Sequence, residues 1–437
     1  MGQAIARCRR VGTPPEAVIY IGAANAMDPN GDETFFGAAS PILAVFVYYF
    51  CVSLREVHVS GYRSVRELKL KLRQINVLTG PNASGKSNLY NSVFLLAKAA
   101  VGGFAQVIAE EGGMPSVLWA GARKARSLSS SRLEPAQMSL GIRTDTFNYE
   151  LVCGLPKLQG PIPPGQFRSA FSMDPEVKEE HVWMDSPGGL KVTFFKRGHK
   201  GAWILDSDER LADYSGELQP TESVLSQLRE PHLYPELSAL RTEMSRWRFY
   251  HHFRTDADSP LRRPQVGVRT PVLSHDGRDL AAALQTINEI GMSEDLHEAI
   301  RQAFPGASLE IEHDEDSGMF AVLMRMPGLK RPLRASELSD GTLRYLCLLA
   351  ALLSPRPPAL LALNEPETSL HPDLLESLAK QMVIAARNAQ LWVVTHSLKL
   401  AELVERQSGE SPIRVQLEHG ETRVAGQDLE DMNEEAG

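Results

Sequence analysis

A glycine-rich stretch that ends in a lysine and a serine carries the clearest chemistry in this sequence. Gly80 is followed by four residues and then by Gly85, Lys86 and Ser87. Glycine at both positions lets consecutive backbone N–H groups turn toward phosphate oxygens, while the lysine neutralises phosphate charge and the serine hydroxyl ligates Mg²⁺. The stretch therefore predicts a phosphate-binding loop. The alternative is an ordinary glycine-rich turn with an exposed lysine.

The elements expected on either side of this loop fit the same prediction. The apolar run Ile75–Thr79 predicts a buried strand before the loop, and the spacing of Leu89, Val93 and Leu96 predicts a helix after it. The positive end of that helix would face the phosphates. The residues expected to contact them are Gly80, Pro81, Asn82, Ala83, Ser84, Gly85, Lys86, Ser87 and Asn88.

Four short motifs in the C-terminal third of the chain could complete such a site. Residues 360–365 read as a buried strand that ends in Glu365, whose carboxylate could activate an attacking water. Residues 338–342 place Ser-Asp-Gly at a helix start, which is an anion-binding geometry. A second buried strand ends at His396, and residues 369–372 follow the acidic residue closely. Each motif alone is weak, but their order after the loop makes the set persuasive.

Composition limits the classes of protein that fit. The chain has 437 residues, of which 43% are hydrophobic and 23% charged, values typical of a soluble globular protein. Its net charge of −8 means that any nucleic-acid contact must come from a local patch. The 4 cysteines are scattered without a CxxC pair, so neither a disulfide framework nor a zinc site is expected, and a cytoplasmic location is predicted.

The N-terminal region differs from the rest of the chain. Its apolar run at 41–52 is about a dozen residues long, whereas a membrane-spanning helix needs about twenty, so no membrane partner is expected. We predict an extension over 1–53 that is either poorly ordered or the result of a misassigned start. The main domain is predicted at 54–427, with lobes at about 54–270 and 271–427, and an acidic tail at 428–437.

Residues 246–254 form the most basic and aromatic window of the sequence. Arg246, Arg248 and Arg254 alternate there with tryptophan, phenylalanine, tyrosine and histidine. Such interleaving suits base stacking and phosphate contact with nucleic acid. It equally suits a strand packed beneath a domain with its arginines outside, and the sequence leaves both interpretations open.

Taken together, the motifs resemble the ATPase heads of the ABC superfamily, and within it the RecF/SMC-like branch. Residues 80–87 are similar to its Walker A motif, residues 338–342 to its signature motif and residues 360–365 to its Walker B motif, while residues 369–372 resemble its D-loop and His396 its switch histidine. The resemblance implies an α/β fold of the P-loop NTPase, ABC-ATPase-head type. A mixed sheet core, an antiparallel β subdomain and helical insertions are expected.

The resemblance also implies ATP and Mg²⁺ as cofactors and roles for individual residues. In these heads one protomer's Walker motifs and the signature motif of a second protomer enclose the nucleotide. By similarity, Glu365 and His396 are expected to be catalytic, and Arg63 in the turn 61–64 is expected to contact the nucleotide. The residues expected to bind the metal are Ser87, Asn364 and the Q-loop candidate Gln265. The residues expected to act on the nucleotide of the other protomer are Ser339, Asp340 and Gly341.

Asn364 departs from the family pattern, in which the Walker B strand ends in Asp-Glu. An asparagine keeps an oxygen for the water shell of Mg²⁺ but gives up a charge. Hydrogen bonds to charged groups contribute about 1.5 to 3 kcal/mol, so metal affinity is expected to fall by tens-fold or more. Because Glu365 remains, ATP hydrolysis is still expected, but slowly.

Three functions compete on the sequence. The favoured one is an ATPase that forms a homodimer on ATP and is coupled to DNA repair, chromosome maintenance or phage defence. The alternative is an ATP-binding scaffold or switch with little or no hydrolysis that acts through a partner protein. A transporter subunit is disfavoured because the roughly 280 residues between Lys86 and Asn364 are predicted to hold hairpins. Only about forty residues follow His396, so any nuclease is expected to be a separate partner.

Overall fold

The computed structural model describes residues 53–121, 125–127, 130–133, 136–156, 170–186, 189–206 and 210–426. These described residues all belong to one compact unit. Apart from residue 53, the predicted extension and the predicted acidic tail lie outside the described residues.

The described residues contain twenty strands and ten α-helices. The strands are β1 (Leu54–Tyr62), β2 (Val65–Lys71), β3 (Ile75–Thr79), β4 (Ala125–Ser127), β5 (Ser130–Leu133), β6 (Gln137–Thr144), β7 (Asn148–Gly154), β8 (Glu176–Asp185), β9 (Lys191–Gly198), β10 (Gly201–Leu205), β11 (Leu211–Asp213), β12 (Arg248–Tyr250), β13 (Gln265–Val266), β14 (Ser308–Asp314), β15 (Met319–Arg325), β16 (Leu333–Arg334), β17 (Leu360–Asn364), β18 (Gln390–Val394), β19 (Ile413–Glu418) and β20 (Glu421–Val424). The helices are α1 (Lys86–Ala100), α2 (Phe104–Glu110), α3 (Met114–Val117), α4 (Val224–Gln227), α5 (Pro235–Ser245), α6 (Leu280–Ile290), α7 (Ser293–Ala303), α8 (Asp340–Leu352), α9 (Leu374–Ala385) and α10 (Leu398–Ser408).

The central sheet brings the sequence motifs to one edge. Its strand order is β12-β17-β18-β3-β19-β20, and every pairing is parallel except that of β19 with β20. The carboxyl ends of parallel strands lie at the same edge of a sheet. Thr79 at the end of β3, Asn364 at the end of β17 and Val394 at the end of β18 therefore lie side by side. The predicted loop, Glu365 and His396 lie just beyond this edge.

Apolar side chains cover both faces of the central sheet, as its nearly continuous hydrophobic strands require. Successive residues of a strand point to opposite faces, and Leu360 and Ala362 belong to one core cluster while Leu361 and Leu363 belong to the other. The first cluster includes α1 and the strands before it. The second includes α6 to α10. A mixed α/β fold with helical insertions, as predicted, is confirmed.

A second, eight-stranded antiparallel sheet accounts for the predicted β subdomain. Its order is β11-β10-β9-β8-β7-β6-β1-β2. The hairpins predicted between Lys86 and Asn364 are present as β6-β7 and β9-β10, and β8 joins them into one sheet. The turn between β1 and β2 carries Arg63 at a positive φ of 47°.

The remaining sheets are small. β13 and β16 both pair with β15, which also pairs with β14, and β4 pairs with β5. No helix in the described part of the chain combines the length and the apolar character needed to cross a bilayer. The division into two lobes near residue 270 stays a prediction.

Candidate nucleotide-binding site

The loop after β3 depends on its two glycines for conformation and for close packing. Gly80 has φ 153° and Gly85 has φ 98°, values that favour glycine. A Cβ at Gly80 would lie 1.9 Å from the carbonyl oxygen of Val415, and one at Gly85 would lie 1.9 Å from Thr422 Oγ1. The hairpin of β19 and β20 therefore supports the loop from behind, and no larger residue fits at either position.

Lys86 begins α1 and turns its ammonium group into the loop. Its Nζ donates hydrogen bonds to the carbonyl oxygens of Gly80 and Pro81, both at 2.8 Å. Burial lowers the pKa of Lys86, and the negative charges of Glu365 and Glu367 act in the opposite direction. The loop thus holds a positive charge among groups that phosphate oxygens could replace.

The loop opens onto a cavity of about 960 Å³ that collects the predicted groups. Arg63, residues 82–88, Glu365 and His396 all line it. Gly80 and Pro81 contribute through their contacts with Lys86 rather than as lining residues. Residues separated by more than three hundred positions in the chain therefore face one volume.

Glu365 and His396 form a close pair at the edge of this cavity. His396 Nε2 lies 3.0 Å from Glu365 Oε1, and their side chains are 36% and 38% exposed. The backbone N–H of Glu365 donates to the carbonyl oxygen of Val394 at 2.7 Å, and Glu365 takes a positive φ of 46°. A carboxylate held next to a phosphate loop and open to water can accept a proton from that water.

Glu367 is a second carboxylate of the site that the sequence analysis missed. Its Oε1 accepts hydrogen bonds from Thr395 Oγ1 at 2.6 Å, from the backbone N–H of His396 at 2.9 Å and from that of Ser397 at 3.0 Å. The residue therefore fixes the turn that carries His396. Its position two residues after Glu365 was the available signal.

Arg344 connects helix α8 to Glu365. This arginine is buried, and its Nη2 donates to the carbonyl oxygen of Glu365 at 2.8 Å. Burial lowers its pKa, while the charges of Glu367 and Glu365 oppose that shift. A charged residue inside the apolar sequence of α8 was the signal that could have identified it.

The residues at the end of β17 and the start of α1 fit a magnesium ion. Asn364 Oδ1 is buried and has no hydrogen-bond partner among the described residues. The described part of the chain contains no group of three or more His, Cys, Asp or Glu side chains that could hold a metal. Mg²⁺, however, needs only one or two protein oxygens beside phosphates and waters. Ser87 and Asn364 would hold the ion, which would neutralise phosphate charge.

Gln265 does not reach this cavity, so its prediction as a metal-binding Q-loop residue has no support in the structure. It lies in β13, paired with β15, and its amide donates to the carbonyl oxygen of Pro260. It is absent from the lining of the cavity. The assignment depended only on the order of the motifs along the chain. That order does not reveal that Gln265 belongs to a separate small sheet.

The signature residues lie at the exposed start of α8, outside the cavity of their own chain. The hydroxyl of Ser339 caps the helix by accepting from the N–H of Thr342 at 3.2 Å. A Cβ at Gly341 would lie 2.4 Å from the carbonyl oxygen of Ser369, so the predicted D-loop packs directly on this glycine.

Arg262 fixes the segment that leads into α8, another role that the sequence did not reveal. It pairs with Asp340 at 2.5 Å and donates to the carbonyl oxygen of Leu338 at 2.9 Å. The start of α8 is therefore held in a defined position although it is exposed.

The basic and aromatic window forms β12 at the edge of the central sheet. Four of its aromatic side chains are buried, which removes them from base stacking, whereas His251 and His252 are exposed: the buried ones are Trp247, Phe249, Tyr250 and Phe253. These buried residues fit the interpretation of the window as a strand packed beneath a domain. Arg248 donates to backbone carbonyls and Arg254 pairs with Asp256 at 2.9 Å, while Arg246 is exposed. Contact of the three arginines with DNA stays a prediction.

The phosphate-binding loop follows β3, Glu365 follows β17, and His396 follows β18, the strand between them, which is the arrangement of a P-loop ATPase site. Family comparisons support this class. The model described as "AAA domain, putative AbiEii toxin, Type IV TA system" matches residues 204–402, and one described as "Protein of unknown function (DUF2813)" matches residues 52–104. No curated protein matches the chain.

Solved structures of SMC heads are similar to this chain at low identity. An SMC head bound to the C-winged helix domain of ScpA has 14% identity and a TM-score of 0.46, covering 87% of this chain and 99% of that one. The SMC head domain from Thermotoga maritima has 16% identity and a TM-score of 0.39, covering 86% and 100%. An Smc head with an extended coiled coil, bound to the C-terminal domain of ScpA and derived from Pyrococcus furiosus, has 13% identity and a TM-score of 0.45, covering 87% and 98%. These values are too low to carry anything over from those proteins.

Proposed function

We propose that this chain binds ATP with Mg²⁺ in the cavity and hydrolyses it. The observation that carries the proposal is the pair of Glu365 and His396, 3.0 Å apart, on the same cavity as Lys86 and its loop. A phosphate loop alone supports binding. A carboxylate and an imidazole beside it add the groups that hydrolysis requires.

Each group has a role that follows from its position. Lys86 and the first N–H groups of α1 bind the β- and γ-phosphates, and Arg63, which lines the same cavity, contacts the nucleotide. Glu365 accepts a proton from the attacking water. His396 lies beside the γ-phosphate and orients that water together with Glu365, and Glu367 keeps the histidine turn in place.

The proposal includes a site shared between two copies of the chain. Ser339 and Asp340 are exposed and lie outside the cavity of their own chain, yet the start of α8 is rigidly held. In a head-to-head dimer these residues, with Gly341, bind the γ-phosphate held by Lys86 of the other copy. ATP then joins the heads and hydrolysis releases them.

The biological process coupled to this switch is proposed as DNA repair, chromosome maintenance or phage defence. The description of the family model that matches residues 204–402 names a toxin–antitoxin system. Of the three processes, phage defence is the most similar to such a system. DNA contact through Arg246, Arg248 and Arg254, and a separate effector such as a nuclease, belong to the same proposal. With a net charge of −8, the chain can bind DNA only through such a local patch.

A second candidate function is an ATP-binding switch without appreciable hydrolysis. Asn364 favours it, because an amide replaces the charge that normally supports Mg²⁺ at the end of this strand. Glu365 and His396 oppose it, since a switch without hydrolysis does not need them.

Two measurements on the purified full chain separate the two functions. Calorimetry with MgATP reports binding, and phosphate release reports hydrolysis. We expect both for the wild-type protein. ATP binding without phosphate release would leave only the switch, and the absence of binding would overturn both functions.

A further inference from the structure

The cavity has a second wall that takes no part in the phosphate chemistry. Ser116, Trp119, Ala120 and Gly121 form it, and none of these four residues is charged. Trp119 contributes a half-buried indole to this wall. A flat aromatic side chain in the same volume as a phosphate loop is the arrangement that a nucleotide, with a charged end and a planar apolar end, would fill.

Backbone hydrogen bonds fix this wall to the turn that carries Arg63. The N–H of Arg63 donates to the carbonyl oxygen of Val117 at 2.9 Å, and the N–H of Trp119 donates to that of Gly61 at 2.7 Å. The N–H of Ala120 donates back to the carbonyl oxygen of Arg63 at 3.1 Å. The segment therefore runs as a short extra strand beside the turn, and Trp119 has a defined place next to a predicted nucleotide-binding residue.

Gly121 determines where the indole lies. A Cβ at Gly121 would lie 2.1 Å from Cζ2, 2.5 Å from Cε2 and 2.9 Å from Nε1 of Trp119. The six-membered ring and the pyrrole edge of the indole thus rest directly on the backbone of Gly121. Any side chain at position 121 would push the indole out of its place, so the position of the ring can be changed without changing the tryptophan.

The size of the cavity leaves room for the rest of a nucleotide. Residues 82–88, with Glu365 and His396, provide the phosphate end of a volume of about 960 Å³, and Trp119 lies on the remaining wall. Stacking of a base on an aromatic side chain raises the binding affinity by about 5- to 150-fold. This gain depends on ring area more than on hydrogen-bond pattern. The larger ring system of a purine gains more from such a surface than a pyrimidine does.

We propose that Trp119 is the platform on which the base of the bound nucleotide stacks, and that the site thereby selects purine over pyrimidine nucleoside triphosphates. The inference rests on the proposed function, since it assumes that the phosphates bind at Lys86. The ring face of Trp119 contacts the base, and Gly121 leaves the space that the ring occupies. The charge of the loop binds the phosphates. Phosphate affinity and base affinity are therefore separable.

Calorimetry with two ligands tests this separation on the full chain. MgATP carries both ends of the nucleotide, whereas magnesium tripolyphosphate carries the charged end alone. In Trp119→Ala we expect ATP affinity to fall by about 5- to 150-fold and tripolyphosphate affinity to stay unchanged. Trp119→Phe should retain most of the ATP affinity because phenylalanine also stacks. The preference of the wild-type protein for ATP and GTP over CTP and UTP should disappear in Trp119→Ala.

Two further variants make the test specific. Gly121→Ala should lower ATP affinity and leave tripolyphosphate affinity unchanged, because the indole is displaced while the loop is untouched. Trp203→Ala is the matched control, since Trp203 is also a half-buried tryptophan but lines a different cavity with Lys196 and Lys200. It should change neither affinity. Should Trp119→Ala not fold, Gly121→Ala still decides the question.

The outcomes distinguish the inference from the function beneath it. If Lys86→Ala abolishes binding of both ligands while Trp119→Ala and Gly121→Ala change neither affinity, the base platform is wrong and the nucleotide site stands. Equal losses for ATP and tripolyphosphate in Trp119→Ala would also overturn the platform. If the wild-type protein binds neither ligand, the inference and the proposed function both fall.

Discussion

Two helices of this molecule begin in similar ways but in very different surroundings. Helix α1 starts at Lys86 inside the cavity, and helix α8 starts at Asp340 on the exposed surface. Both starts offer free N–H groups and a positive dipole end to an anion. Glu365 and His396 line the cavity at the first start and are absent from the second. Under the proposed function, this difference gives the two starts different roles: the first carries the chemistry, and the second completes the site of another copy.

The two helix starts are nevertheless connected. Arg344, one turn into α8, donates to the backbone carbonyl of Glu365 at 2.8 Å. The D-loop residue Ser369 lies against Gly341 of the same helix. These two contacts link the start of α8 to the backbone of Glu365 and to the segment that follows it. We expect closure of a dimer to be sensed in this way.

Removal of the ammonium group at the first helix start should have the largest effect. Lys86→Ala is expected to abolish ATP binding, because it removes the only charged side chain of the loop 80–87. Calorimetry with MgATP measures this. Lys98→Ala is the matched control on the same helix, since Lys98 lies over the ring of Phe94 at 5.1 Å, and it should leave binding unchanged. Unchanged affinity in Lys86→Ala would sink the assignment of the site.

Replacement of the catalytic carboxylate should separate binding from hydrolysis. Glu365→Gln keeps the size of the side chain but removes the proton acceptor, so hydrolysis should fall by about 10²- to 10⁴-fold while ATP stays bound. The trapped ATP should hold two copies together, which light scattering after gel filtration would detect. A variant that remains monomeric at saturating ATP would contradict the shared site.

A bulky charge at the second helix start should break the dimer and leave the first site intact. Ser339→Arg is expected to retain the ATP affinity of one copy, to prevent ATP-dependent dimerisation and to lower hydrolysis by about 10²-fold, because donors to the γ-phosphate are lost. The exposed Ser336 offers a matched control as Ser336→Arg. If Ser339→Arg dimerises and hydrolyses ATP normally, α8 does not complete a site in trans.

Weakening of the turn that carries His396 should have a smaller effect. Glu367→Gln keeps an oxygen for the three hydrogen bonds but removes the charge that strengthens them, a change of about 1 kcal/mol. We expect kcat to fall by about fivefold while KM for ATP hardly changes. A rise in KM without a fall in kcat would show that Glu367 supports binding rather than the histidine.

The parts of this site that sequence reasoning identified are those written as contiguous motifs. The loop 80–87 is local, and Glu365 and His396 end buried strands whose carboxyl ends must share one edge if the strands are parallel. Gln265 was placed by chain order alone, and β13 carries it to a different sheet. Local patterns therefore predicted local geometry well.

The supporting residues could not be predicted because their roles depend on tertiary contacts. Arg262 reaches Asp340 across 78 positions, and Arg344 reaches a backbone carbonyl rather than a charged partner. Trp119 reads as an ordinary aromatic until the turn at Arg63 is seen to hold it. Strand β8 was missed because its charged residues obscure the alternation that marks a strand.

The steady-state rate of MgATP hydrolysis by the full chain tests the central claim most directly, measured with and without duplex DNA beside Lys86→Ala and Asn364→Asp. We predict slow turnover that is lost in Lys86→Ala and stimulated by DNA. Asn364→Asp should be faster, because it restores the charge beside Mg²⁺ and raises metal affinity by tens-fold. A wild-type rate no higher than that of Lys86→Ala, with no gain in Asn364→Asp, would contradict the account of this cavity as a working ATPase site.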